Sequence, residues 1–249
     1  MFRFISDTYA ILWPELCFLK RNWHSILVTS LISPVLYLLA FGYGLGQDMD
    51  MDGFPYLAFI IPGIIALSSL SVSFNGAASK LNVGRLYYKS FDELLMSPVS
   101  NASIVVGKSL LGVIRGLLSC GAILIMGLFI SPVLHVNPLF ILSLLVSCFA
   151  FSFLGVYAAL VVNSHQSMST FSSMVILPMT FLCGTFFSLN QIPEFLKIIL
   201  YALPLTHASE TIRAAALIQP FPWWSLLILA AFGAVFYFAS MRVLRRISI

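Results

Sequence analysis

GRLYYKSFDELLMSPVSNAS, residues 84–103, is the longest run of mixed charge in a 249-residue chain that is otherwise almost continuous hydrocarbon. It mixes Arg85 and Lys89 with Asp92 and Glu93, then closes on Leu94, Leu95, Ser97 and Pro98. Outward from it lie six long apolar segments, at about residues 26–46, 56–78, 109–130, 139–162, 171–189 and 224–241, and five of the six contain no charged residue. Each approaches the ~20 apolar residues needed to cross a bilayer core. The runs are continuously apolar and not alternating, which predicts helices rather than barrel strands. The expected fold class is an all-α polytopic membrane protein of six transmembrane helices. Residues 79–108 form its one substantial handle in water, and such a handle serves to meet a partner.

Composition agrees. Sixty per cent of the residues are hydrophobic and 9% charged, far less charge than a soluble domain of this size carries. The net charge of +4 is no nucleic-acid signal, because the basic residues are dispersed at the ends of apolar runs. The loop after the first segment carries Asp48, Asp50 and Asp52 and no basic residue, whereas the N-terminus, the 80–108 region and the Arg242, Arg245, Arg246 tail hold nearly all the rest. The positive-inside rule then puts both termini and the 84–103 loop in the cytoplasm. No repeat or linker divides the chain, so residues 1–249 form one domain.

Two regions do not span. Phe2, Ile5, Tyr9, Leu12, Leu16 and Leu19 recur every three or four residues, one stripe of an amphipathic helix over 1–25 that lies along the membrane surface, with Asp7 and Glu15 elsewhere on the wheel. Pro14 is placed to kink or divide it. Between the fifth and sixth segments, residues 190–223 hold two short apolar pieces broken at Pro204, each carrying charge (Lys197; Glu210 and Arg213). Re-entrant half-helices dipping into the outer leaflet fit this pattern; an ordinary external loop with surface helices is the alternative.

Motifs for chemistry are weak. Ala102–Ser109, ASIVVGKS, fits a relaxed phosphate-loop pattern, but stiff Ile104, Val105 and Val106 entering a membrane helix cannot curl around phosphates. Lys108 is expected to snorkel to the headgroups. Arg115 is the one charge inside a span, either facing a polar interior or pathway, or snorkelling to the interface. Gly112 and Gly116 beside it permit close helix approach. The four cysteines stand at no metal-ligand spacing and the histidines do not cluster, so neither a metal site nor a catalytic group is expected. An ion-coupled carrier would need an acidic residue inside a span, and the segments contain none. An intramembrane lipid-modifying enzyme could draw only on His207, Glu210 and Arg213.

Several stretches together resemble the membrane subunits of ABC type-2 exporters, notably nodulation-factor, O-antigen and multidrug-type export permeases. They are SPVLYLLAFGYGLG (33–46), YLAFIIPGIIA (56–66), FDELLMSPVS (91–100), CGTFFSLNQIP (183–193) and PLTHASETIR (204–213), the last with Pro204, His207 and Arg213 at the family spacing. The resemblance runs in order over essentially the whole chain. It implies a permease of the bacterial inner membrane that is not itself an enzyme and has no cofactor of its own. It would form a homodimer and pair with two copies of a separate ATPase that bind ATP and magnesium. Phe91, Asp92, Glu93, Leu94, Leu95 and Pro98 would form a coupling helix in a groove of that ATPase, with Asp92 and Glu93 as polar contacts and the leucines as apolar anchors. Gly184, Pro204, His207, Glu210 and Arg213 would belong to the re-entrant cap of the pathway. Bulky Phe186, just after Gly184, departs from the smaller residues of many members and bears on the width of the pathway there. A cavity of Phe, Tyr and Met suits amphipathic cargo, and both lipid-linked glycans and small amphipathic drugs or secondary metabolites stay open.

Overall fold

Residues 56–67 are apolar on every side of the helix they begin, and such a helix is stable only when other helices enclose it. The computed structural model describes residues 2–44, 50–51, 53–131, 133–187 and 193–247. In chain order these form α1 (Phe2–Tyr37), a π-helical stretch (Leu38–Tyr43), a two-stranded hairpin of β1 (Asp50–Met51) and β2 (Phe54–Pro55), α2 (Tyr56–Leu86), α3 (Ser90–Met96), α4 (Asn101–Ile130), α5 (Pro138–Val161), α6 (His165–Leu182), α7 (Glu194–Tyr201), α8 (Pro204–Ala216) and α9 (Trp223–Ile247). The buried centre is α2, with Phe59, Ile60, Ile64, Leu70 and Phe74 almost fully enclosed by α4, α5 and α8. At ~1.5 Å per residue α2 is about 45 Å long, and its two ends carry the two assemblies described below. Where α2 meets α4, a Cβ added at Gly112 or Gly116 would collide with Ser73, so the two glycines let the helices touch backbone to backbone.

The helical, polytopic expectation holds. Among the described residues, five helices are long and apolar enough to cross a membrane: Phe4–Gly42, Tyr56–Leu86, Asn101–Ile130, Pro138–Val161 and Trp223–Ile247. The segment expected at 171–189 is helical only from His165 to Leu182 within the described residues. Its first turns carry His165, Gln166, Ser167 and Thr170, which shorten its apolar stretch.

Two local expectations are corrected. The break in α1 is at Asn22 (φ −116°, ψ 18°), and the helix runs straight through Pro14. The face of α1 turned to the protein is Thr8, Ile11, Glu15 and Leu19, whereas Ile5 and Tyr9 of the expected stripe are exposed. A carboxylate that finds two lysines is better placed inside than an aliphatic stripe that can dissolve in lipid. Residues 102–109 are continuous α-helix, which leaves no loop to wrap a phosphate. Of the acidic loop, Asp48 and Asp52 lie outside the described residues, as do residues 190–192 of the 190–223 region.

Candidate functional site

The end of α2 that carries Arg85 gathers the handle. Arg85 Nη1 donates to the carbonyls of Ala159 (3.1 Å), Leu160 (2.6 Å) and Val162 (3.2 Å), and Nη2 reaches Asn163 Oδ1 (3.2 Å). The last carbonyls of α5 have no partner in their own helix and carry its negative dipole end, so a cation there supplies both missing needs. The chain then turns through Lys89, held at φ 52°, into α3. Asp92 and Glu93 stand in the first turn of α3, favourable for the dipole. Ser97 closes the helix, its hydroxyl donating to Leu94 O at 2.6 Å, and Pro98 follows.

Side-chain directions divide α3 into two faces. Phe91 is buried, and Leu94 and Leu95 pack half-buried with Ile11, Leu81, Ile104 and Val105. Asp92, Glu93 and Met96 point outward, next to exposed Tyr87 and Tyr88. Sequence reasoning assigned the two leucines an outward role and did not single out the tyrosines or Met96; two consecutive aromatics in a charged loop were the signal available.

Beneath α3 lies a cavity of about 380 Å3 between α1, α2 and α4. Glu15 closes one side of it. Its Oε1 accepts from Lys108 Nζ at 3.0 Å and its Oε2 pairs with Lys80, whose ammonium also sits 4.1 Å from the centroid of the Phe18 ring. Lys108 therefore serves Glu15 rather than the headgroups. Burial pushes the Glu15 carboxyl up, but hydrogen bonds and charge from the two lysines outweigh it and hold the group below its ordinary value. This three-residue junction binds α1 to α2 and α4 and was missed in the sequence, where its members are far apart.

At the other end of α2, Arg213 of α8 is buried. Its Nε donates to Phe59 O (3.3 Å) and its Nη2 to Gly184 O (2.9 Å) and Thr185 O (3.4 Å), with the guanidinium over the Phe59 ring at 3.8 Å. The turn after α6 is enclosed, so its carbonyls need donors from the protein. Gly184 sits in that turn at φ +67°, a backbone region that side-chain-bearing residues avoid. Phe186 packs inward, 4.4 Å from the Phe41 ring, and its carbonyl accepts from Tyr56 Oη at 3.0 Å.

Pro204 begins α8, the position where its missing N–H costs nothing. His207 and Glu210 both grip Tyr201 of α7: His207 Nε2 lies 2.9 Å from the Tyr201 carbonyl, and the Tyr201 hydroxyl donates to Glu210 Oε1 at 2.6 Å. Ser225 donates to the other carboxylate oxygen at 2.7 Å. Burial, with the neighbouring carboxylate adding to it, pushes the Tyr201 hydroxyl up to about 12, so it stays a donor at neutral pH. Gly184, Arg213, Pro204, His207 and Glu210 thus come together as one fastening of α7 and α8. Arg115 lies apart from both assemblies, half-buried in α4 beside a polar groove.

Among the described residues no three His, Cys, Asp or Glu side chains are grouped to hold a metal. The arrangement is one of helices fastened to helices, with an exposed polar and aromatic face of α3 and its approach at one end. Residues 6–217 match the family described as ABC-2 type transporter. The chain belongs to that family. This ABC-2 permease is 29% identical over 230 residues to the inner membrane transport permease YadH of Escherichia coli K12, covering 91% of this chain and 90% of YadH. It is 26% identical over 246 residues to Nodulation protein J of Sinorhizobium fredii, covering 94% of each. Nodulation protein J of Rhizobium leguminosarum bv. viciae is 28% identical over 204 residues, which cover 81% of this chain and 78% of that protein. The ABC-2 permease is a multi-pass transport subunit of an ABC exporter in the bacterial inner membrane, and its family pairs with ABC ATPase subunits.

Proposed function

We propose that this ABC-2 permease moves an amphipathic molecule outward as a homodimer driven by two separate ATPase subunits. ATP and magnesium belong to those subunits, and this chain supplies no cofactor. It crosses the membrane six times, with α6 as the fifth crossing, both termini and α3 in the cytoplasm, and α7 and α8 as the external re-entrant elements over the pathway.

The observation that carries the reading is the two-sided seating of α3. Asp92, Glu93, Met96, Tyr87 and Tyr88 offer a mixed polar and aromatic surface, the kind that makes anchors at protein interfaces. Phe91 on the opposite face is locked against α1, α2 and α4. A load applied outside is therefore transferred to the spans through packed side chains, and to α1 through the Glu15 junction. The homodimer is supported by apolar side chains left exposed on α6 (Met174, Leu177, Phe181), which need a partner or lipid. The nearly complete burial of α8 supports a capping element fastened into the bundle rather than a loose surface helix.

The test is co-expression with candidate ATPase subunits, purification through a tag on this chain, and ATP hydrolysis measured in lipid. A stable complex whose hydrolysis falls when Glu93 is changed to Ala, with the permease still monodisperse, is the expected result. An ATPase that never co-purifies, or a complex indifferent to Glu93 and Tyr88, overturns the coupling assignment.

A further inference from the structure

Between α1, α2 and α4 lies a second cavity, of about 360 Å3, within the part of the bundle that the long apolar helices enclose. Thr29 and Ser33 of α1, Ser68, Ser71 and Asn75 of α2, and Arg115 of α4 face it. Arg115 lies six residues past Ser109, where the apolar span begins, about 9 Å along the helix at ~1.5 Å per residue.

The hydrogen bonding is incomplete in one sense only. Thr29 donates to Ser25 O (2.7 Å), Ser71 to Leu67 O (2.6 Å) and the Asn75 amide to Ser71 O (2.8 Å), so those donors are spent within their own helices. Arg115 Nε is buried with no hydrogen-bond partner, and so is the hydroxyl of Ser68, a residue 1% exposed. Buried donors without acceptors are uncommon and costly in a native structure. Both atoms are shut off from the cavity that their side chains line, but the outer guanidinium nitrogens of Arg115 make no hydrogen bond to any described residue and no carboxylate lines the cavity. Glu15 is the acid whose charge acts on Arg115, and it is already held by Lys80 and Lys108.

We propose that this groove binds the anionic head, a phosphate or a carboxylate, of an amphipathic molecule. The outer guanidinium nitrogens of Arg115 supply the charge-assisted hydrogen bonds. The apolar chain lies on the exposed Val28 and Ile32 of α1, whose neighbours Thr29 and Ser33 form the groove wall. A cation is repelled by Arg115, and a neutral head leaves the guanidinium without a counter-charge. Taken with the exporter reading, on which this second step rests, the substrate class becomes an anionic amphiphile.

The experiment is equilibrium binding of 32P-labelled dodecyl phosphate to the purified full chain in phosphatidylcholine nanodiscs, read by scintillation proximity. Saturable binding is expected, weakened at least about tenfold in Arg115→Gln, retained within a few-fold in Arg115→Lys, and weakened about tenfold in Ser71→Asp, whose added carboxylate lines the same groove. Dodecyl maltoside at the same concentrations does not compete. Unchanged affinity in Arg115→Gln, or equal competition by dodecyl maltoside, overturns the site. Should Arg115→Gln not purify as a single species, Ser71→Asp decides, and wild-type affinity there overturns it. Nanodiscs containing phosphatidylglycerol separate the two sources of the anion: competition identifies a resident lipid headgroup, its absence a transported amphiphile, and both outcomes support the anion site. The measurement needs no ATPase, so it stands or falls independently of whether an ATPase partner is found.

Discussion

Glu15 Oε1 accepts a 3.0 Å hydrogen bond from Lys108 Nζ across 93 residues of sequence, and the same carboxylate pairs with Lys80. Three helices meet at one acid, and that acid has only 7% of its side chain exposed.

Changing Glu15 to Gln leaves two ammonium groups facing each other over a neutral amide. The lysines are 38% and 23% exposed, so water screens part of the loss and the expected destabilisation is about 1–2 kcal/mol rather than the full value for a buried pair. Thermal unfolding of the purified permease in detergent measures it. Replacing Lys80 and Lys108 by Met in the Glu15→Gln background should restore part of the loss, because no unpaired charge remains.

The same junction predicts an acid-sensitive step. The folded carboxyl titrates below its ordinary value of 4.5, so its stabilising contribution is complete above that value and is lost as pH falls through the lower, folded one. Thermal stability of the wild type should therefore drop more steeply below about pH 4.5 than that of Glu15→Gln, the two curves converging in acid. Parallel curves would dissociate the pair from the acid transition.

Arg213→Lys keeps the charge and loses the fork. A lysine cannot serve the Phe59, Gly184 and Thr185 carbonyls together while lying on the Phe59 ring, so a loss of about 2–3 kcal/mol is expected. Limited proteolysis should show earlier cleavage after α6 in this variant.

Arg85→Ala removes the donor from the last carbonyls of α5 and should cost about 1 kcal/mol. Amide hydrogen exchange is the specific readout: faster exchange confined to the final turn of α5 and the start of α6 supports the capping role, and a uniform change does not.

The two faces of α3 should separate in mutagenesis. Phe91→Ala empties a buried site and should lower stability by about 3 kcal/mol or more. Tyr88→Ala and Glu93→Ala should leave the melting temperature within about 1 °C, since surface changes of this kind fall within about 0.5 kcal/mol, while reducing recovery of the ATPase complex. Loss of stability in the outward set would place those side chains in the core instead.

Much of this protein was legible one residue at a time. Apolar runs must become helices in lipid, Pro204 must begin a helix or break one, and a stretch holding Arg85, Asp92 and Glu93 must find water or partners. Those are local consequences of solvation and backbone geometry, and hydropathy and spacing carry them. The tertiary structure decided which side chains answer one another. Glu15 looked like one more polar residue on the outer face of a surface helix until Lys80 and Lys108 were brought to it. Arg213 is separated by 154 residues from the Phe59 carbonyl it satisfies. Leu94 looked like an anchor for another protein until it was found packed with Phe91 on the inner side of α3. Buried charges and enclosed carbonyls are settled by whichever partner the packing supplies, and the amino-acid sequence carries no local mark of that partner.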